Sequence, residues 1–185
     1  MKKHSMYLLF SLALPLAAAD TMIELDPAKT IVNFTVPSTL HAVHGHFKLK
    51  RGSLKFDSAS GKAAGEIVVD VLSGESGDDS RDKRMQKEVL ESPKFSEAVF
   101  TADRVMGVLA PQGASELDVH GTLQLHGGPH ETTLHFKAQT SGGEVSASTT
   151  FTIPYVMWGI KNPSNFLLKV DKIVEVSVQA VGKVQ

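Results

Sequence analysis

Cysteine is absent from this 185-residue chain. That excludes disulfides, thiol nucleophiles, cysteine-ligated zinc and an anchor acylated on an N-terminal cysteine. The fold must therefore rest on its core, and a chain of this length can bury one large enough as a single domain. An excess of either charge is also missing: 19 Lys and Arg face 20 Asp and Glu, a formal net charge of −1. No polyanionic partner is indicated, and nucleic acid is not expected. Long apolar runs are scarce too. Residues 6–16 form one, shorter than the ~20 residues a spanning helix needs, so no transmembrane anchor is expected. Lys2 and Lys3 precede this run and Ala17-Ala18-Ala19 follows it. That order is the pattern of a secretory signal spanning residues 1–19, with cleavage after Ala19. The expectation is a mature domain, residues 20–185, in the periplasm or secreted. Several catalytic patterns are missing as well. There is no G-x-S-x-G elbow, no phosphate-cradling glycine loop between strand and helix, and no H-E-x-x-H helix. No catalytic residue, enzymatic activity or cofactor is expected.

What is present is alternation with period two. Val43, Gly45, Phe47 and Leu49 alternate with His44, His46, Lys48 and Lys50. At Arg51-Gly52 the phase shifts, so that Leu54 and Phe56 become the apolar set. One extra residue at a glycine is the mark of a β-bulge. The same alternation governs Val32, Phe34 and Val36, then Ile67, Val69 and Val71. It recurs through Leu117, Val119, Leu123 and Leu125, through Leu134, Phe136 and Ala138, and through Val145, Ala147, Thr149, Phe151 and Ile153. Val174, Val176, Val178 and Ala180 complete it. Glycine- and serine-rich turns separate the runs, among them Gly127-Gly128-Pro129 and Ser141-Gly142-Gly143. One stretch differs. Between Ser80 and Glu91, Met85 and Val89 stand four apart with Leu90 beside them. This predicts a single short helix, capped by Ser80 and stopped at Ser92-Pro93. About eight antiparallel strands and one helix predict an all-β fold, either a sandwich or an up-and-down barrel.

Seven histidines follow residue 19: His41, His44, His46, His120, His126, His130 and His135. Imidazole is a ready ligand for zinc or copper. The strand histidines, however, fall on the face opposite the aliphatics, where half-solvated side chains are ordinary, so no metal residue is assigned. Ser80-Arg81-Asp82 reads first as a helix start, with an acid in the first turn. Small residues on the apolar faces (Gly45, Gly121, Ala138, Ala147 and Ala180) raise a further question. A closed barrel of about eight strands can hold one small or chain-like ligand.

Ordered blocks across residues 21–181 resemble the YceI family of exported proteins. Ser38-Thr39-Leu40-His41 with Val43-His44-Gly45-His46-Phe47 is similar to that family's early strand. Phe56-Asp57 resembles its next strand end, and Ser80-Arg81-Asp82 with Met85 its helix opening. Lys94-Phe95-Ser96-Glu97-Ala98-Val99-Phe100, with Ser96 at a customary proline, resembles a fourth block. Gly121 to Gly127 resembles a fifth, although Gly128-Pro129 departs from the pattern after it. Phe151 with Trp158-Gly159 resembles the late strand and its loop. The resemblance implies an extended eight-stranded antiparallel lipocalin-like β-barrel with one short helix. It also implies an apolar interior that binds a polyisoprenoid or another long-chain lipid without catalysis.

On that reading the inward residues Phe34, Val36, Phe47, Leu49, Leu54, Phe56, Val69, Val71, Phe100, Leu123, Leu134, Phe136, Phe151 and Ile153 are the candidate lining. Their role is apolar contact. Ala147 is the small inward position where a bulky side chain should block a ligand. Two alternatives stay open. One is a histidine-rich, metal- or stress-related binding protein with a filled barrel. The other is an interaction module whose Trp158 loop docks a partner.

Overall fold

A computed structural model describes residues 20–185, and the expected signal sequence lies outside them. The alternating runs form strands β1 (Asp20–Leu25), β2 (Ile31–Val36), β3 (Val43–Asp57), β4 (Lys62–Glu75), β5 (Glu97–Gly107), β6 (Gly113–Leu125), β7 (Gly128–Ser141), β8 (Glu144–Ile153) and β9 (Val174–Val184). Each pairs antiparallel with its neighbours, and the sheet closes on itself. Nine segments make only eight staves, because β1 and β2 share one. β1 pairs with the end of β3 (Glu24 opposite Ser53) and β2 with its beginning (Ile31 opposite Lys48). Both also pair with β9, and the turn over residues 26–30 interrupts the stave between them. The result is a closed up-and-down barrel rather than a sandwich. Closure removes the exposed sheet edges an open sheet would carry.

The β3 phase shift is real but lies slightly earlier than expected. Pairing with β4 slips between Leu49 and Arg51, and again between His46 and Lys48. The second slip has its own support: Lys48 N donates to Ser73 Oγ at 2.8 Å, and Ser73 Oγ donates to Asp70 O at 2.6 Å. A bulge leaves a backbone amide without a ladder partner, and here a serine supplies one. The outward residues of β7, among them Glu131, Thr133, His135 and Lys137, are polar. Among the described residues no helix is long and apolar enough to cross a membrane.

The two ends differ. At one, short turns join β3 to β4, β5 to β6 and β7 to β8, the last through Gly142 and Gly143, both at positive φ as a two-residue hairpin turn requires. Ile23, Phe56, Val105, Leu117, Val119, Ala138 and Val145 pack together there, with Phe56 only 1% exposed. This end is closed. At the other, longer connections (residues 37–42, 76–96 and 154–173) fold over the barrel opening.

The segment over residues 76–96 carries the helix, α1 (Asp79–Arg84), which continues through a π turn at Met85–Val89. The cap is Asp78, not Ser80: its side chain accepts from Arg81 N at 2.8 Å. A carboxylate at this position offers the orphan amides a stronger acceptor than a hydroxyl. The segment ends where expected. Glu91 turns left-handed, and Ser92, fully buried, sends its amide to Gln86 O at 3.0 Å.

Gly45 and Gly121 do not leave space for a ligand. A Cβ on Gly45 would collide with the Phe34 ring, and one on Gly121 would sit 2.9 Å from Phe100 Cζ. These glycines seat phenylalanines inside the barrel. Ala147 faces inward as its phase requires, but it packs against the closed-end cluster. It is not among the residues that line the cavity.

Candidate functional site

Above the closed end the barrel encloses a cavity of about 350 Å3. Phe34 and Val36 from β2, Phe47 and Leu49 from β3, and Val69 and Val71 from β4 form half of its wall. Phe100, Leu123, Leu134, Phe136, Phe151 and Ile153 form much of the rest. Leu54 and Phe56 are the exceptions among the candidate lining. Both lie past the β3 bulges, which carry them into the closed end. There Phe56 is core and Leu54 packs against that core. Every stave of this barrel runs from one end to the other, so alternation identifies an inward residue but not its depth.

Two further groups line the cavity. The inward residues of β9, Val174, Val176, Val178 and Ala180, were visible in the alternation and belong to the wall. Met85, Val89 and Leu90 from the helical segment, with Tyr155, Ile160, Pro163, Leu168 and Val170 from residues 154–173, cover the opening. Irregular chain has no period, and among these only the Met85–Val89 spacing was a signal. The wall is almost wholly apolar. One exception is Thr149, whose Oγ1 is buried without a hydrogen-bond partner among the described residues. An unpaired buried hydroxyl is costly, and a polar group on a ligand could satisfy it.

The cover is fastened by polar contacts. Arg81 donates from Nε to Ser76 Oγ at 2.7 Å and from Nη2 to Ser76 O at 2.8 Å. Asp82 accepts from Ser76 N at 3.0 Å and from the Ser76 hydroxyl. Arg81 and Asp82 thus staple the helix to the end of β4, a structural role different from the Ser80-capped helix start expected of Ser80-Arg81-Asp82. Arg84 reaches the other cover segment, donating to Pro163 O at 3.4 Å. Tyr155 donates its hydroxyl to Asp171 O at 2.6 Å. Burial, and secondarily the Asp171 charge, raises that phenol's pKa.

The histidines are dispersed. His44 contacts Thr35 Oγ1 at 3.0 Å, and His120 and His135 pair with Asp103 and Asp118, each at 2.7 Å. Among the described residues no three His, Asp or Glu side chains converge as a metal site. Two histidines at the β6–β7 turn instead hold the cover. His126 packs against Phe95, ring centroids 4.4 Å apart, and lies 2.9 Å from Glu91. His130 stacks on Trp158 at 3.7 Å with the rings 6° from parallel.

Burial pushes the His130 pKa below its ordinary value of 6.5. The unfolded chain therefore takes up this proton first as pH falls. Above both values the group gives no pH slope, and through about 6.5 and downward it costs stability. His130→Phe keeps a ring over Trp158 and removes the titration. It is expected to lose less melting temperature than the parent between about pH 7.5 and 5.5. Equal losses in thermal melts would show that this ring is not a source of the slope.

A closed antiparallel barrel around an apolar cavity, with one end packed and the other covered by loops, has lipocalin-like architecture. Residues 24–182 match the YceI-like domain, and the chain belongs to the YceI family. Among solved structures it is similar to BcnA of Burkholderia cenocepacia, at 17% identity and a TM-score of 0.70, over 85% of this chain and 98% of that one. It is also similar to a polyisoprenoid binding domain from Saccharophagus degradans implicated in plant cell wall breakdown. There the identity is 20% and the TM-score 0.65, over 88% of this chain and 98% of that one. A Campylobacter jejuni YceI protein aligns at 11% identity and a TM-score of 0.52, over 99% of both chains. No curated protein sequence matches the chain.

Proposed function

We propose that this protein holds a polyisoprenoid or similar long-chain amphiphile in its barrel, outside the cytoplasm and without catalysis. The observation that carries the reading is the cavity: about 350 Å3, walled by aliphatic and phenylalanine side chains from the staves and from the cover. That volume lies within the range of small-molecule sites, roughly 300–1,000 Å3. A filled barrel, which the metal-binding alternative assumed, has no such space.

Apolar contact is sufficient for affinity here. A chain of a dozen carbons at about 0.8 kcal/mol per buried methylene supplies roughly 10 kcal/mol before costs. Immobilising and ordering the ligand subtract several kcal/mol and leave micromolar binding or better. The name of the Saccharophagus degradans domain supports an isoprenoid as the ligand class. Among the described residues the polar clusters near the cavity fasten the cover.

Native mass spectrometry of the protein purified from its own host tests the reading. The expected species begins at Asp20 and carries a noncovalent mass that dissociates as a lipid. A species that retains metal and no lipid, and takes up no added isoprenoid, refutes it. An intact Met1 on the soluble protein refutes the extracytoplasmic part alone.

A further inference from the structure

The cover segment over residues 154–173 has two apolar faces. Pro163, Leu168 and Val170 line the cavity. Phe166 and Leu167, between them in sequence, point the other way and are 93% and 83% exposed. An exposed phenylalanine and leucine side by side are not an accident of a slack loop, because the turn that carries them is built. Asn165 Oδ1 accepts from Leu167 N at 2.9 Å and Leu168 N at 2.8 Å, and Asn165 N donates to Leu168 O at 2.9 Å. Below the tip, Ser164 Oγ accepts from Val170 N at 2.8 Å, and Thr39 N donates to Lys169 O at 3.0 Å. That last contact joins the tip to residues 37–42, where Leu40 is 74% exposed. Met157, 84% exposed, lies on the same segment. Four large apolar side chains thus stand out at the covered end of the barrel.

Their surroundings say what they meet. Residues 154–173 hold three lysines, Lys161, Lys169 and Lys172, and one acid, Asp171, in a chain whose net charge is −1. Lys161 pairs with Glu88 at 3.5 Å, while Lys169 and Lys172 have no ion-pair partner among the described residues. Exposed aromatic and aliphatic side chains beside lysines are the chemistry of an interfacial membrane anchor: the apolar groups enter the headgroup–acyl boundary and the lysines meet anionic lipid. The same turn runs without a break from the cavity wall through Leu168 to the exposed tip. We infer that the Phe166-Leu167 tip, with Leu40 and Lys169, docks the covered end of the barrel on an anionic bilayer surface. A tip already held by its own hydrogen bonds loses little freedom on docking. The inference rests on the amphiphile reading only for its purpose, the passage of a ligand between bilayer and cavity.

Co-sedimentation tests it with vesicles of phosphatidylethanolamine and phosphatidylglycerol against vesicles of phosphatidylcholine alone. Parent and variants carry the same N-terminus. The parent is expected to bind the anionic vesicles more tightly, and less so as salt rises. Phe166→Ser with Leu167→Ser should weaken that binding by roughly tenfold or more, since each side chain leaves an apolar phase. Lys169→Glu with Lys172→Glu should remove the anionic preference. Val108→Ser, at an exposed apolar residue of the closed end (69% exposed), should change nothing. A tip variant that binds like the parent overturns the inference, as does a parent that ignores both vesicles. So does a parent that self-associates in solution and is dissociated by the tip substitutions, because the tip would then serve a second copy of the chain. Uptake of a solubilised isoprenoid alcohol, read separately by native mass spectrometry, reports on the cavity. A protein that takes up the alcohol but ignores vesicles fails here alone, and one that docks but takes up nothing fails only the ligand reading.

Discussion

Val178→Trp is expected to abolish retention of an amphiphile while the melting temperature stays within about 3 °C of the parent. Val178 lies midway along β9, opposite Val32 on one side and Thr149 on the other, and its side chain lines the cavity. An indole there extends into empty space, so it displaces ligand rather than protein. Ala147→Trp is the matched comparison. Ala147 faces the same interior from β8, but it packs against the closed-end cluster. The same bulk among side chains that already touch there overpacks them, at a cost of about 1–3 kcal/mol. For a domain of this size that lowers the melting temperature by roughly 2–12 °C. Calorimetry and native mass spectrometry on both variants separate the two depths. If Val178→Trp melts as low as Ala147→Trp, the space beside Val178 is filled in solution, and the binding reading loses its cavity.

The Val178 and Ala147 pair also marks how far the sequence reaches. Alternation identified which side chains of β2, β3, β4 and β6 to β9 point inward. It did so because a period of two is imposed by the strand itself and needs no knowledge of the partner. It even located the β3 phase shift to within a residue or two. Depth along the barrel axis is a different quantity. It depends on stagger between staves and on the two slips in β3, which are properties of pairing. Leu54 and Phe56 were therefore assigned to the right face and the wrong level. What fills the space beside Gly45 and Gly121 was not legible for a related reason, since the rings that fill it come from neighbouring strands. The cover was the least legible part. Tyr155, Ile160, Leu168 and Val170 lie in irregular chain, where hydrogen bonds to Asp171, Ser164 and Thr39 decide what faces inward. The strand histidines His44, His46, His120 and His135 were legible as outward residues. The work of His126 and His130 at the β6–β7 turn was not, because Phe95 and Trp158 come from distant segments.

Phe56→Ala is expected to be the most damaging single truncation proposed for this chain, about 3–5 kcal/mol. The ring is 1% exposed and sits within the closed-end cluster, where the surrounding strands are hydrogen-bonded on both sides and cannot collapse into the space left behind. Phe47→Ala removes the same atoms from β3 nine residues earlier. Its ring lies 5.2 Å from that of Phe34 and borders the cavity, so truncation enlarges an existing space instead of opening a new one. The expected cost is less than about half that of Phe56→Ala. The effects on ligand run in the opposite order. Phe47→Ala removes wall that an amphiphile touches and should weaken retention, whereas Phe56→Ala, in the fraction that stays folded, should leave it intact. Denaturant melts give the first ordering, and uptake of an isoprenoid alcohol by the folded fraction gives the second. If both variants lose stability and ligand in equal proportion, the closed end and the cavity are one cooperative core. The division between supporting and binding residues along β3 is then wrong.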